Sequence, residues 1–199
     1  MKDGRKIIEK FENPIDNLII NLCTIINQNI LPKNISPNII TFFSLILGLI
    51  SSYLVYQSYF LQGSISWIIS YFLDCLDGNY ARMHNKCTAF GDKFDHFSDK
   101  VREIAMIFAV IFNNKIKRIE KIIAICVILL LFLPMLLHLG CQEKISNSTS
   151  KSLNNLKNLC YNAKIIRFTK FFGCGTINFI LVIILMYFYF TYQYSKSST

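Results

Sequence analysis

Four aspartates, Asp74, Asp77, Asp95 and Asp99, stand at the edges of two strongly apolar runs, where a membrane-seeking sequence has no ordinary use for charge. The members of the first pair are three residues apart and those of the second four, so on helices each pair lies along one face. The first pair closes the run 65–83 and the second opens the run 94–112, with only the polar connection 84–92 between them. Helices joined that closely run antiparallel, which sets both acidic ends at one bilayer level and lets all the carboxylates converge. A carboxylate near the bilayer centre costs about 2.5–3.5 kcal/mol, and less toward the interface, so such residues point to function. Neighbouring anions also repel one another. Divalent cations relieve both costs, and Mg²⁺ in particular prefers carboxylate and phosphate oxygens. Two such ions held close together clamp a diphosphate and stabilise charge during an in-line displacement. The competing structural reading makes the acids partners in intramembrane ion pairs with Arg82, Lys93, Lys100 and Arg102.

Hydropathy supplies the elements that must position these acids. The chain has 199 residues, enough for one domain, and 53% of them are hydrophobic. A crossing helix needs about 20 mainly apolar residues. The runs 38–60, 65–83, 94–112, 119–139 and 173–194 meet that need, with a turn expected at Leu61-Gln62-Gly63-Ser64. Pro134 should kink its helix rather than end it. Tyr and Phe gather near the end of the last run like an interfacial aromatic belt. In 15–31, apolar residues recur at 15, 18, 19, 22, 25, 26 and 30 with Asn and Gln opposite, the pattern of a helix lying on the membrane surface. A short buried packing helix is the alternative. The expected fold is all-α and integral to the membrane, a bundle of five to six transmembrane helices with an N-terminal amphipathic interfacial helix. A sixth span would fall near 153–172, in a region otherwise read as a solvated connection. The chain should then divide into a basic, amphipathic juxtamembrane segment (1–37), a transmembrane domain (38–194) and a polar tail (195–199).

The net charge of +9 sits in short polar connections rather than on one basic face, which fits loops at an anionic membrane and argues against nucleic acid. The basic N-terminus, the 84–92 connection and the Lys-rich 141–170 stretch favour a cytosolic site face. That arrangement leaves Lys115, Lys117 and Arg118 on the far side, against the same rule. The seven cysteines show no CxxC pair and no metal-ligand spacing, so free thiols in a reducing compartment are expected. The glycosylation patterns at Asn34-Ile35-Ser36 and Asn147-Ser148-Thr149 read as chance matches, and no cleavable signal peptide is expected from the charged first residues. His84 and His96 flank the acidic segment and His138 lies near a span end; His96 could touch a substrate, but a hydrogen-bonded bystander is its plainer reading.

Read as a string, residues 74–99 follow D-x₂-D-G-x₂-A-R-x₈-G-x₃-D-x₃-D without a departure. This resembles the signature of the CDP-alcohol phosphatidyltransferase (class I) family. Ser36-Pro37-Asn38-Ile39-Ile40-Thr41, opening the first span, is similar to that family's Pro-Asn-x-x-Thr segment. The resemblance implies that Asp74, Asp77 and Asp95 hold two Mg²⁺ or Mn²⁺ ions, with Asp99 completing the site and acting as the catalytic base. It implies that Gly78 and Ala81 are small so that the CDP group can approach, and that Arg82 meets the diphosphate as a planar donor. Gly91 would permit tight entry into the next helix, and Asn38 and Thr41 would reach toward the cytidine. Close helix packing is the plainer account of Gly78 and Ala81.

The activity so implied is metal-dependent phospholipid synthesis: a phosphatidyl group passes from CDP-diacylglycerol to a small alcohol such as inositol, glycerol phosphate or serine, with release of CMP. The implied partners are a CDP-activated lipid, an alcohol acceptor and membrane lipids, and a homodimer is compatible. Phe94-Asp95-His96 is similar instead to members that use CDP-choline or CDP-ethanolamine with diacylglycerol, whereas the short chain is similar to the first group. Lys164, Arg167 and Lys170 could serve an acceptor phosphate or simply form a solvated basic flank. A cation transporter and an inactive scaffold that retains the motif are the rivals from other classes. The transporter would not need the Gly, Ala and Arg at these spacings, and Asp99→Asn would abolish turnover in an enzyme yet leave a scaffold's partner binding unchanged.

Overall fold

The computed structural model describes residues 3–146 and 154–197, so the Asn147-Ser148-Thr149 pattern lies outside the described residues. The described residues form helices, turns and loops. α1 (Pro14–Asn29) starts as its sequence dictates: Pro14 occupies the first turn, and Asn13 Oδ1 accepts from Ile15 N at 3.0 Å and Asp16 N at 3.3 Å. Its apolar stripe faces away from the protein, with Leu18, Leu22 and Ile25 all exposed. The inward face carries Asp16, Ile20, Cys23 and Asn27. An interfacial helix presents itself in this way, with apolar residues toward lipid.

α2 (Pro37–Tyr56), α3 (Phe60–Met83) and α4 (Ala89–Phe112) follow with short connections and carry the site. α5 (Arg118–Ile145) keeps Pro134 inside a continuous helix. Residues 154–172 then make only short turns, Asn154–Leu159, Ala163–Ile165, α6 (Ile166–Thr169) and Lys170–Phe172, before α7 (Cys174–Ser197). None of these turns is long enough to cross a membrane, so the sixth span placed near 153–172 is not formed by the described residues. Three helical stretches are both long and apolar enough to cross by composition: Pro37–Tyr56, Arg118–Ile145 and Ile166–Ser197. α3 and α4, at 24 residues each, match them in length but carry the acids.

The bundle packs through three apolar clusters. Away from the site, Phe60, Trp67, Met106, Leu185 and Phe188 join α3, α4 and α7, and Trp67 Nε1 donates to Asn178 Oδ1 at 2.9 Å. Nearer the site, Cys23, Ile40, Leu76 and Tyr80 lock α1 and α2 onto α3. The third cluster, Ile7, Cys141, Cys160 and Ile166, fastens the N-terminal segment to the end of α5.

Three expectations are corrected. The turn expected at 61–64 lies inside α3, and the chain reverses instead at 57–59 with Ser58 at φ 67°. Gly63 is a packing residue: Ser51 Oγ donates to its carbonyl at 2.7 Å, and a Cβ there would sit 2.7 Å from Val55 Cγ2. α4 begins at Ala89, five residues before 94, because Thr88 Oγ1 caps it by accepting from Gly91 N at 3.0 Å. Finally, not all cysteines are free. Cys141 and Cys160 form a disulfide across 19 residues, while Cys23, Cys75, Cys87, Cys126 and Cys174 remain thiols. α5 runs past the apolar residues to Ile145, carrying Cys141 under the 154–159 turn, and spacing alone has no means of foreseeing that pairing.

Candidate metal and nucleotide site

The end of α3, the start of α4 and the start of α2 meet at one end of the bundle. The helical spacing brings the acids together as their sequence positions require. One oxygen each from Asp74, Asp77 and Asp95 lie within 4.8 Å of one another, and the same holds for one ligating atom each of Asp95, His96 and Asp99. Asp95 belongs to both groups. Asp77 is buried at 4% exposure, and its Oδ2 has no hydrogen-bond partner, a cost that a buried acceptor bears only for want of a donor or ion. An all-oxygen set with an orphaned carboxylate oxygen fits Mg²⁺ or Mn²⁺.

Beside the acids opens a cavity of about 120 Å³ whose lining includes Asn38, Thr41, Asp77, Gly78, Ala81, Arg82, Gly91 and Asp95. Every residue that the sequence offered for the CDP group therefore borders one space. Arg82 lies across Gly78: a Cβ at that position would sit 3.1 Å from Nη1 and 3.3 Å from Nη2. Its Nε donates to Gly4 O at 2.7 Å, so the N-terminal segment fixes the base of the guanidinium. Gly4 has φ 65°, a left-handed conformation that favours glycine, and a Cβ there would meet Asn79 O at 2.5 Å. Gly91 leaves room for Asn38, whose Oδ1 would lie 3.0 Å from a Cβ. Lys86 closes the rim by donating to Lys33 O at 2.6 Å and Ile35 O at 2.7 Å.

Of the cations weighed as ion-pair partners, Arg102 alone pairs with the aspartates among the described residues. Its Nη2 donates to Asp74 Oδ1 at 2.7 Å and to Asp99 Oδ1. Lys164 and Arg167 are exposed, and Lys170 donates to Lys10 O at 3.2 Å, so none of the three pairs with the acids. His96 Nε2 lies 3.6 Å from Asp92 Oδ1, His84 lies tilted against Tyr80 at 4.4 Å between ring centroids, and His138 is buried between Thr169 and Gln142.

A second buried polar group went unmarked in the sequence because its members lie far apart along the chain. Asp16 accepts from Tyr71 OH at 2.6 Å and from Gly175 N at 3.1 Å, tying α1 to α3 and to the start of α7. Burial pushes the Asp16 carboxyl above its usual range. Glu12 accepts from Gln142 Nε2 at 2.8 Å and from Asn13 N at 3.1 Å. Burial first, and then the neighbouring Asp16, push Glu12 up to about 7.

A family model described as CDP-alcohol phosphatidyltransferase matches residues 34–196. The chain belongs to the CDP-alcohol phosphatidyltransferase family. It is also similar to an archaetidylinositol phosphate synthase of Pyrococcus horikoshii, 25% identical over 112 residues, which are 56% of this chain. The match spans 55% of that relative's length. No solved structure matches the chain.

Proposed function

We propose that this protein transfers a phosphatidyl-type group from CDP-diacylglycerol, or a closely related CDP-lipid, to a small polar alcohol and releases CMP. The observation that carries the reading is the cavity in which Asn38, Thr41, Gly78, Ala81, Arg82 and Gly91 share one space with Asp77 and Asp95. The small residues leave room for a flat nucleotide, and the acids stand where its diphosphate would lie. The similarity to an enzyme named for archaetidylinositol phosphate synthesis supports an acceptor of the polyol type.

In this reading Asp74, Asp77, Asp95 and Asp99 would hold two divalent ions, which would supply positive charge to offset that of the diphosphate and of departing CMP. Arg82 donates its Nη groups to the diphosphate, its Nε being occupied by Gly4 O. Asn38 and Thr41 orient the cytidine end. Asp99 takes the proton of the acceptor hydroxyl as that oxygen bonds to the lipid-side phosphorus. The bond from that phosphorus to the bridging oxygen breaks, and CMP carries the electron pair away. Positioning and electrostatics are sufficient for such a transfer without a protein nucleophile.

Basic residues border the site, with Arg5 next to the Gly4 that holds Arg82 and with Lys33 and Lys86 at the rim, so we place the site at the cytosolic face. The test is direct. Purified protein with Mg²⁺ or Mn²⁺ and labelled CDP-diacylglycerol should release CMP only when a suitable alcohol is added. The grouping of His96 with Asp95 and Asp99 favours a second reading, CDP-choline or CDP-ethanolamine with diacylglycerol, and those substrates form the other arm of the assay. Folded protein that releases no CMP from any CDP-substrate would refute both.

A further inference from the structure

Arg102 lies outside the motif that identifies the site, yet it is 5% exposed and reaches from α4 across the floor of the acid cluster to α2 and α3. Its Nη2 joins Asp74 of α3 to Asp99 of α4. Its Nη1 donates to Ser44 Oγ at 2.6 Å and to Ser70 Oγ at 2.9 Å. Those hydroxyls have already spent their single protons: Ser44 Oγ donates to Ser70 O at 2.8 Å, and Ser70 Oγ donates to Ser44 O at 2.7 Å. Only their lone pairs remain, and both receive the guanidinium. The pocket therefore suits a donor-only cation. Space is made for its stem as well, since a Cβ at Gly48 would sit 2.5 Å from Arg102 Cδ and 2.7 Å from Cγ.

Gly48, Ser44 and Ser70 are small or polar residues on two long helices, spent on housing one side chain of a third. A stray charge seeking a partner needs no such cradle. A carboxylate held at one oxygen by a fixed donor keeps its other oxygen aimed, and partners of this kind tune how strongly ligands bind a metal. We propose that Arg102 is a positioning residue for the acid cluster: a resident cation that clamps Asp74 and Asp99 across the α3–α4 gap and sets their remaining oxygens for a divalent ion. The inference rests on reading the aspartates as metal ligands.

Position and charge make opposite demands, which gives the test its sign. If Arg102 contributed only positive charge, its removal would let a divalent cation bind more tightly. If it positions the ligands, its removal weakens binding despite the lost repulsion. Mn²⁺ binding to detergent-solubilised protein without substrate, followed by the paramagnetic resonance of the free ion, separates the two. Arg102→Gln should raise the Mn²⁺ dissociation constant by about tenfold or more, the scale seen when partners of metal ligands are removed. Arg102→Lys keeps the charge but not the fork, and should fall between Gln and wild type. Should the Gln variant not fold, the double variant Ser44→Ala with Ser70→Ala loosens the clamp without changing any charge and should still weaken Mn²⁺ binding several-fold. Equal or tighter binding in these variants, with wild type binding Mn²⁺ normally, overturns the clamp alone. Wild type that binds no Mn²⁺ overturns the metal reading and the clamp together.

Discussion

Gly78→Ala should separate function from stability, because the three atoms nearest the added methyl all belong to Arg82. The Cβ would lie 3.1 Å from Nη1, 3.3 Å from Nη2 and 3.5 Å from Cζ of that side chain. Ordinary contact begins near 3.5 Å, so the guanidinium must retreat by about 0.2–0.4 Å. It cannot retreat freely, since its Nε is held by Gly4 O at 2.7 Å. A misplacement of about 1 Å at a reacting centre can cost 10²-fold, so a shift of this size should lower kcat/KM for the CDP-substrate about tenfold, or about 1.4 kcal/mol. The helix itself should gain, because alanine is favoured over glycine in a helix interior by about 0.5–1 kcal/mol. The expected variant is thus as stable as wild type or more so, and a poorer enzyme.

Gly63→Ala is the matched control on the same helix. There the Cβ would sit 2.7 Å from Val55 Cγ2 and 3.3 Å from Ser51 O, away from the acids. Overpacking of this kind costs about 1–3 kcal/mol, while the folded fraction should turn over normally. CMP release measured across donor concentrations, beside thermal unfolding in the same detergent, reads both quantities. Full activity in Gly78→Ala would refute the placement of Arg82 against the diphosphate. Equal losses of stability and activity would refute the local origin of the effect.

Glu12 gives the structure a pH dependence of definite sign: its folded value of about 7 exceeds the ordinary carboxyl value of 4.5, so its contribution is complete below about 4.5 and is lost as pH rises through about 7. Unfolding midpoints should therefore fall from pH 5 to pH 8, and Glu12→Gln should flatten the slope, with Asp16 supplying a remainder; an unchanged slope counts against this assignment. Gly4→Ala places a side chain at φ 65° and against Asn79 O, so it should cost about 1 kcal/mol or more and raise KM for the donor through Arg82; a KM equal to wild type would remove the N-terminal segment from substrate binding. Replacing Cys141 and Cys160 by Ser should cost about 3 kcal/mol, as expected for a disulfide closing a loop of this size, and a reductant should reproduce the loss in wild type but not in the variant.

The acid cluster was legible because its spacing is local. Three- and four-residue offsets fix a helix face whatever surrounds it, and the short connection fixes the partner helix. Asp74, Asp77 and Asp95 met as that arithmetic requires. The details that depend on long-range packing were not legible. Gly63 has the composition of a turn and the job of a close crossing, because the distance to Val55 is set by how α2 and α3 cross. Cys141 and Cys160 carry no spacing signal, and their meeting follows from where the 154–159 turn lands on α5. Arg102 was visible as a cation near the acids, but Ser44, Ser70 and Gly48 looked like ordinary small residues of apolar helices.

Those small residues show how the lipid setting inverts the usual reading of a sequence. In water, a stripe such as Leu18, Leu22 and Ile25 would mark the buried face of a helix; here the stripe is exposed, while Asp16 and Asn27 point inward. Lipid tails leave apolar side chains little reason to seek the protein interior, so the inside is free to be polar where hydrogen bonds offset the burial. Asn27 Nδ2 donates to Asn79 Oδ1 at 2.7 Å, Asn79 Nδ2 donates to Asp3 O at 3.0 Å, and Arg82 Nε reaches Gly4 O on the same N-terminal segment. Arg102 and its serines continue the pattern on the other side of α3. The site is thus supported by polar contacts on both flanks, and an apolar substitution there costs a buried hydrogen bond rather than a contact with lipid. The polar serines and asparagines of such helices, more than their leucines, hold the acids together at the end of the bundle.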